Sequence, residues 1–322
     1  MDVLAIAVVL ISLISAASAQ IRPNYYSSTC PNVESIVRAA VEKKFKESFA
    51  AAPATIRLFF HDCAVEGCDA SIMIASAPNR KSERDHPDNV SLSPDGYDTV
   101  LRAKAAVDAT PGCKNVVSCA DILVMATRES VRLTGGPTYD VELGRLDGLV
   151  SKPSSVNLPR PDYNLSQLVT EFGARGLSQT DMIALSAAHS IGSSHCNSFS
   201  NRLYNFSLKV ATDPTLDAAY ASKLKLACPM NANPSITVFQ DPTTSKVLDN
   251  VYFKNLQNKL GLFRSDQILF GDLRSQATVN LFANNATAFN RAFVTAMTNL
   301  GRVGVKTSRT NGNIRFNCTI FN

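Results

Sequence analysis

Arg57-Leu-Phe-Phe-His61-Asp-Cys63 is the stretch of this sequence that carries the most information about fold and chemistry. If the segment is helical, Arg57 and His61 stand at positions i and i+4, so both side chains project from one face with Phe60 beside them. A guanidinium fixed next to an imidazole can move a proton and stabilise a developing negative charge at the same place. If that helix forms, Arg57 and His61 are placed to act together in catalysis.

A second informative histidine lies in Leu185-Ser-Ala-Ala-His189-Ser-Ile-Gly192. The stretch 178–181 resembles a capping box, and it predicts a helix that delivers His189 near its end. The chain has four histidines in all. We interpret His86 and His195 as structural, and the spacing from His189 to His195 is not a usual zinc spacing.

Helical periodicity dominates the rest of the chain. Apolar residues recur at helical spacing, and several of these segments begin with a capping residue or end at a glycine. Strand signals are confined to 141–144 and 304–307, and no alternation of strands and helices is present. The sequence therefore predicts an all-α fold, with helices at 33–45, 53–63, 118–133, 178–189, 249–260 and 279–300.

The N-terminal segment has the features of an export signal. An apolar run from 4 to 17 is followed by Ala17-Ser-Ala19, a small-x-small cleavage pattern, although the segment begins with Asp2 and contains no Lys or Arg. We expect residues 1–19 to be removed, which leaves Gln20 to form an N-terminal pyrrolidone carboxylic acid. No later apolar run is long enough to cross a membrane. These features predict a secreted protein with residues 20–322 as one domain.

Composition excludes several classes of protein. The chain is 45% hydrophobic and 18% charged, which indicates an ordinary globular protein, and its net charge is a modest +5. No cluster of Lys and Arg alternates with aromatic residues, so we expect no nucleic-acid partner. The mild basicity favours loose association with anionic polymers outside the cell. We expect a monomer.

All eight cysteines follow residue 19, and an even count behind an export signal indicates four disulfides. Eight cysteines allow about 105 pairings, so the sequence does not choose among them. Cys63-x4-Cys68 also resembles part of an iron–sulfur spacing, but export argues against a cluster. Sequons for N-glycosylation indicate a glycoprotein and lie at Asn89, Asn164, Asn205, Asn285 and Asn317.

Ten short segments along the chain form a recognisable set. They are Ser28-Thr-Cys30-Pro-Asn-Val, Arg57-Leu-Phe-Phe-His61-Asp-Cys63, Gly67-Cys-Asp69-Ala-Ser71, Val117-Ser-Cys119-Ala-Asp121-Ile-Leu, Gly144-Arg145-x-Asp147-Gly, Asn157-Leu-Pro159, Asp181-x-x-Ala-Leu-Ser-x-x-His189, Leu248-Asp249-Asn-x-Tyr252-Phe, Ser265-Asp266-Gln267 and Asn313-Ile-Arg315-x-x-Cys318. With these segments, residues 20–322 resemble the secreted plant-type (class III) haem peroxidases. The order, the spacing and the number of cysteines all fit this family.

The resemblance implies haem b between two histidines. His189 would ligate the iron, and Asp266 would accept its other N–H, which adds electron density to the metal. On the opposite side, His61 would be the acid–base residue for peroxide, held by Asn89. Because that role needs a buried Asn89, its sequon should be unused.

Three further residues complete the implied site. Arg57 would stabilise the charge that develops as the O–O bond of peroxide breaks. Phe60 would shield the haem face, and Pro159 would mark the haem edge where reducing substrates arrive.

The resemblance also implies two Ca²⁺ ions held by oxygen ligands, as calcium prefers. The first set is Asp62, Asp69 and Ser71 side chains with Val65 and Gly67 carbonyls, and Glu83 holding a ligating water. The second set is Ser190, Asp241, Thr244 and Asp249 with the Val247 carbonyl.

The same resemblance selects one cysteine pairing and one buried ion pair. The bridges would be Cys30–Cys113, Cys63–Cys68, Cys119–Cys318 and Cys196–Cys228. The ion pair would join Asp121 to Arg145.

The chain departs from the family at positions that carry no catalytic side chain. Ala64 replaces a usual Phe, Ala187-Ala188 replaces Gly-Gly, and Tyr139 stands at a usual Trp position in a chain without Trp. Arg160 follows Pro159 where a small residue is commoner. These changes bear on substrate preference rather than on haem binding.

The sequence therefore predicts a two-lobed, all-α haem peroxidase that reduces hydrogen peroxide and oxidises small phenols by one-electron steps in the extracellular space or cell wall (apoplast). One alternative is a secreted scaffold of the same fold that binds haem with little or no turnover. Another is a disulfide-bonded, calcium-dependent binding module without haem. The intact set of Arg57, His61, Asn89, His189 and Asp266 argues against both.

Overall fold

The computed structural model describes residues 20–322, so the predicted signal segment lies outside the described residues. Helices dominate this part of the chain, and sheet is limited to two antiparallel pairs, β1 (Asp147–Gly148) with β4 (Gly312–Asn313), and β2 (Ser193–His195) with β3 (Thr237–Phe239). The prediction of an all-α fold is confirmed. The α-helices are α1 (Val33–Glu47), α2 (Ala51–Cys63), α3 (Pro94–Asp108), α4 (Cys119–Leu133), α5 (Leu165–Gly173), α6 (Gln179–Ser186), α7 (Ser200–Leu203), α8 (Ala218–Ala227), α9 (Val251–Gln257), α10 (Arg264–Gly271), α11 (Leu273–Asn284) and α12 (Ala286–Leu300).

The main hydrophobic core is built around α4. Residues 119–131 of this helix are all buried, and α1, α2 and α3 pack against one another and against it. The same core continues through α6 and α12, which pack together, and through α9 and α11. A smaller cluster joins α7, α8 and the start of α10. Helix α2, which carries His61, and helix α6, which ends at Ser186 just before His189, both contribute to the main core.

Three predicted helices differ from the structure. The helix predicted over 178–189 ends at Ser186, before His189. The segment 279–300 is not one helix, because Asn285 adopts an extended conformation between α11 and α12 and its side chain accepts from the Ala288 N–H, which caps α12. The predicted helix 249–260 is shorter, since Lys259 has a φ of 59° and turns the chain after α9. We expected the glycines that follow these two segments, Gly261 and Gly301, to end the helices in the left-handed conformation. Lys259 adopts that conformation instead of Gly261, and Gly301 has a φ of −63°.

Four disulfides close the fold with the pairing that the resemblance implies. The bridges are Cys30–Cys113, Cys63–Cys68, Cys119–Cys318 and Cys196–Cys228. The implied buried ion pair is also present, with Arg145 Nη1 3.0 Å from Asp121 Oδ1 and both side chains out of solvent. Arg145 Nε donates to the Gly301 carbonyl at 3.1 Å, so the pair ties α4 to the end of α12.

Candidate active site

Helix α2 carries Arg57, Phe60 and His61, with Arg57 and His61 one turn apart at positions i and i+4. His61 is 8% exposed and Phe60 is partly buried, whereas Arg57 is exposed. The Phe60 ring stacks on Phe172, with ring centroids 5.8 Å apart. This packing fixes the helix face from which the two polar side chains project.

His61 is held by a buried amide. Its Nδ1 lies 2.7 Å from Asn89 Oδ1, and Asn89 Nδ2 donates to the Glu83 carbonyl at 2.8 Å. Because the Glu83 carbonyl can only accept, the Asn89 oxygen must face the histidine, so Nδ1 of His61 carries the proton. This tautomer leaves Nε2 of His61 as the proton acceptor. Asn89 is 2% exposed, which is incompatible with a glycan on its sequon.

The surroundings of His61 keep its ring neutral. Burial first, and then the positive charge of Arg57, lower the pKa of His61 to about 3, against a smaller opposing effect of the Asn89 hydrogen bond. An imidazole with this pKa is a free base at physiological pH. It can therefore accept a proton from a ligand next to its Nε2 and later return it.

The loop after α2 fixes Arg57 in a way that the motif does not show. Arg57 Nη1 donates to the Ser91 carbonyl at 2.9 Å and Nη2 donates to Ser91 Oγ at 3.0 Å. Sequence reasoning missed Ser91 because its contact with α2 is tertiary and no local pattern marks it. The Arg57 guanidinium keeps further N–H groups that can donate to a ligand beside His61.

His189 lies in a 3₁₀ turn, Ala187–Ser190, directly after α6 rather than within the α-helix. Its Nδ1 lies 2.8 Å from Asp266 Oδ1, and its side chain is 38% exposed. Asp266 stands in the first turn of α10, where its Oδ2 accepts the Phe263 N–H at 3.1 Å. The Phe263 ring meets His189 edge-on, with centroids 5.3 Å apart.

Tyr252 is the second site residue that sequence reasoning missed as a participant. Its OH donates to Asp266 Oδ1 at 2.9 Å, the same oxygen that receives His189. Burial and the charge of Asp266 raise the pKa of Tyr252 well above its usual value, so the phenol stays protonated. The motif that contains Tyr252 and Asp249 was recognised, but the sequence did not show which way the ring points.

Two contacts join the elements that carry the histidines. The loop around Pro159 reaches both sides, because Leu158 packs with Phe60 and the Pro161 carbonyl accepts the Ser265 N–H at 2.9 Å beside Asp266. The start of α2 also adjoins the turn after His189, since a Cβ on Gly192 would lie 3.0 Å from Pro53.

The donor set of these residues fits a haem. His61 and His189 each use Nδ1 for a hydrogen bond to a fixed side-chain oxygen, and Nε2 of neither ring is bonded within residues 20–322. A carboxylate on Nδ1–H makes His189 a stronger metal ligand, whereas the amide on His61 leaves that ring a weak one. The two histidines are therefore suited to different tasks, one to coordinate iron and one to handle protons.

Comparison with known proteins identifies the family. A family model described as Peroxidase matches residues 37–285. The chain is 58% identical to Peroxidase 73 of Arabidopsis thaliana over 307 residues (95% of this chain and 93% of that protein) and 57% identical to Peroxidase 51 of the same plant (96% and 94%). It is 42% identical to Peroxidase 5 of Vitis vinifera over 94% and 92% of the two chains.

The chain belongs to the peroxidase family. It is a peroxidase with haem as its cofactor and with hydrogen peroxide and reducing substrates as its reactants. Within residues 20–322 the peroxidase has no helix that is long and apolar enough to span a membrane.

The first candidate calcium site of the peroxidase contains buried oxygens without partners. Asp62 and Asp69 are fully buried side by side, and Asp62 accepts the Ala70 N–H at 2.9 Å. Ser71 Oγ and both carboxylate oxygens of Glu83 are buried with no hydrogen bond to any residue that the structure describes. Burial, followed by the charge of Asp62, raises the pKa of Glu83 to about 9. A divalent cation among these oxygens would satisfy them.

The backbone around this site is equally confined. The Gly67 carbonyl accepts the Asp69 N–H at 2.8 Å, and Val65 N–H donates to the Asp62 carbonyl at 3.2 Å, so these segments fold around the two carboxylates. A Cβ on Gly148 would lie 2.2 Å from Asp69 Oδ2. Glycine is therefore required at 148 for the carboxylate to keep its place.

The second candidate site has the same character. Asp241 Oδ1 accepts the Thr244 N–H at 2.8 Å, while Asp241 Oδ2 is buried with no partner among residues 20–322. Thr244 Oγ1 donates to Asp249 Oδ1 at 3.1 Å, and burial raises the pKa of Asp249. Ser190 follows His189 directly, and its hydroxyl donates to the Ala187 carbonyl. The Val247 side chain is a hydrocarbon, so only its backbone carbonyl could bind a cation.

No group of three His, Cys, Asp or Glu side chains forms a ready metal cluster in the described part of the chain. Each candidate site offers two close carboxylates and would have to complete its shell with hydroxyl and carbonyl oxygens. That mixture suits calcium and not zinc, which prefers nitrogen and sulfur ligands.

The departures from the family lie around the site without removing its functional groups. Ala64 packs with Val156 and Leu158 next to Phe60, where a larger side chain would take up more space beside the Phe60 ring. Arg160 is exposed and pairs with Asp162 at 3.4 Å, so a flexible cation stands beside Pro159.

Proposed function

We propose that this peroxidase performs its proton chemistry with His61 and its charge stabilisation with Arg57, and that small phenols are its reducing substrates. The observation that supports this most strongly is the pair of polarised imidazoles, His61 on Asn89 and His189 on Asp266, each with an Nε2 that no described residue contacts by a hydrogen bond. The family supplies the overall reaction, and the arrangement of these side chains supports the proposed roles.

When bound, haem would supply the redox chemistry by which peroxide oxidises the reducing substrate. His189 would hold the iron through Nε2, and Asp266 orients the ring and increases its basicity. His61 Nε2 takes the proton from the attacking peroxide oxygen and delivers it to the oxygen that leaves, which departs as water. Arg57 stabilises the negative charge on the leaving oxygen, and the buried site strengthens that interaction.

The stoichiometry requires two donor molecules for each peroxide. Hydrogen peroxide takes two electrons and two protons and yields two waters. Two phenols each lose one electron and one proton and leave as phenoxyl radicals. The half-buried Pro159, flanked by buried Leu158 and exposed Arg160, offers an apolar contact and a cation where such rings would arrive.

Calcium at both candidate sites, secretion after removal of residues 1–19, action as a monomer and a location in the cell wall or apoplast belong to the same proposal. The unpartnered oxygens of Ser71, Glu83 and Asp241 support the metal sites. Four disulfides support an oxidising compartment. The mature chain would be one domain, residues 20–322.

The proposal is tested by turnover. Purified protein loaded with haem is mixed with hydrogen peroxide and a simple phenol such as guaiacol, and both reactants are counted. We expect two phenols oxidised for each peroxide. Bound haem with no turnover would instead support the inactive scaffold.

A further inference from the structure

A cleft of about 350 Å³ opens beside α10, and none of its lining residues belongs to the proposed haem or calcium sets. Phe206, Ile268 and Phe270 provide its apolar surface, and Pro214 and Thr215 close one side. This volume is at the lower end of the range for small-molecule sites, about 300–1,000 Å³. The cleft can therefore hold a ligand on the order of one substituted ring.

The charge of the cleft is positive. Lys259 and Arg264 line it, both are exposed, and neither makes an ion pair or a side-chain hydrogen bond within residues 20–322. Its one lining carboxylate, Asp213, is buried and held by Arg202, whose Nε lies 2.8 Å from Asp213 Oδ2. The charges that a ligand would meet are thus the two cations.

The walls of the cleft are held in place before any ligand arrives. Besides Asp213, the buried Arg202 donates to Thr215 Oγ1 at 3.1 Å and to the Leu262 carbonyl at 2.8 Å, so it links two walls. The Cys196–Cys228 bridge closes the loop that carries Phe206 and Asp213. A preformed cleft loses little entropy when it binds, so even a small ligand gains affinity.

We propose that this cleft is a second ligand site, which binds a small aromatic carboxylate. The ring would lie against the apolar wall of Phe206 and Phe270, and the carboxylate would meet Lys259 and Arg264. A planar guanidinium matches a carboxylate in two parallel hydrogen bonds, which an uncharged ligand cannot form. The cleft is also lined by Gln267 and Ile268, which directly follow Asp266 on α10.

Calorimetric titration of the haem-loaded peroxidase with cinnamate tests the proposal, with cinnamyl alcohol as the uncharged probe. The double variant Lys259→Gln/Arg264→Gln removes the cleft cations. The matched control, Lys223→Gln/Lys254→Gln, removes the same charge from exposed lysines outside the cleft. Phe206→Ala removes part of the apolar wall, and an unchanged Soret band and melting temperature verify that each variant is folded.

We expect cinnamate to bind the unsubstituted protein and the control alike, and to bind the Lys259/Arg264 variant at least about tenfold more weakly. Phe206→Ala should weaken both probes, and the alcohol should be insensitive to the charge variants. Equal cinnamate affinity in all variants would place the binding elsewhere, for example at the haem edge. That result, an equal loss in the control, or no binding at all would overturn the proposal.

Discussion

Asp266 Oδ1 lies 2.8 Å from His189 Nδ1, and the same oxygen accepts the Tyr252 hydroxyl at 2.9 Å. One carboxylate oxygen is therefore shared between the residue proposed to ligate iron and a buried phenol. Each hydrogen bond to this oxygen weakens the other, because the Tyr252 hydroxyl draws on the negative charge of Asp266 that polarises the His189 imidazole. The strength of the histidine as a ligand is thus set by two residues rather than one.

This sharing predicts opposite shifts of the haem reduction potential. Tyr252→Phe leaves the charge of Asp266 to His189 alone, so the potential should become more negative. Asp266→Asn removes the charge, so it should rise. We expect shifts on the order of 50 mV, about tenfold in the one-electron equilibrium, measured by spectroelectrochemistry.

The matched control for Tyr252 is Tyr220→Phe. Tyr220 is also buried, but its hydroxyl has no hydrogen-bond partner in the described chain, so the potential should not move. Shifts of the same sign in the Tyr252 and Asp266 variants would refute the sharing of charge.

Loss of the His61 imidazole should abolish the rapid reaction with peroxide. His61→Ala removes both the proton acceptor and the group that orients it, and we expect the rate to fall by roughly two to four orders of magnitude while haem stays bound. Stopped-flow absorbance after mixing with hydrogen peroxide measures this rate. His195→Ala, a histidine whose Nδ1 bonds the Pro234 carbonyl, is the control and should react normally. An unchanged rate in His61→Ala would assign the proton transfer to another group.

The pH dependence of the same reaction follows from the lowered pKa of His61. The neutral ring is the active form, so the rate should be independent of pH near neutrality and should fall as the pH approaches about 3. Because the folded pKa lies below the unfolded value of about 6.5, the neutral ring's contribution to stability is present above that value and is lost as the pH falls toward 3.

Arg57 is the second cause of that lowered pKa, so Arg57→Leu should move the acid limb of the rate profile to higher pH, in addition to slowing the reaction. The normalised pH profiles of the two proteins give the comparison. An acid limb at the same pH in both would exclude the charge of Arg57 as a cause.

Removal of calcium by chelation should disturb the hydrogen bonds that hold His61. Glu83, whose carboxylate has no partner, also supplies the carbonyl that holds Asn89, and Asn89 holds His61. We expect prolonged chelation to lower the melting temperature and the peroxide rate together, and added calcium to restore both.

Asp69→Asn should reproduce the effect of chelation without recovery on adding calcium, whereas Asp140→Asn, at an exposed carboxylate, should behave as the unsubstituted protein. Calorimetry and stopped-flow absorbance measure the two properties. No change in either after chelation would count against the metal sites.

Local signals predicted the helices that carry the site. Helix α2 was predicted to open at Pro53 and begins two residues earlier, at Ala51. The start of α6 follows from Ser178, whose hydroxyl accepts the Asp181 N–H. The break at Asn285 was missed because helical periodicity continues across it, and only the extended backbone there shows the cap. Periodicity reports which face is apolar and is insensitive to one irregular residue.

Side-chain partners across the fold could not be predicted in this way. Ser91 lies 34 residues from Arg57 and Tyr252 lies 14 residues from Asp266, each on a different element from its partner, and no spacing rule relates them. The pairs His61–Asn89 and His189–Asp266 were expected only because the chain resembles a known family. The structure then showed which atoms meet and which neighbours share them.

Hemin titration tests the central claim most directly. The unsubstituted protein, His189→Ala and His195→Ala are each titrated, and the Soret band is recorded. The account predicts one haem for each chain and a strong band in the unsubstituted protein and in His195→Ala, with the band weakened and displaced in His189→Ala. A folded protein that stays colourless, or a His189→Ala variant with an unchanged spectrum, would contradict it.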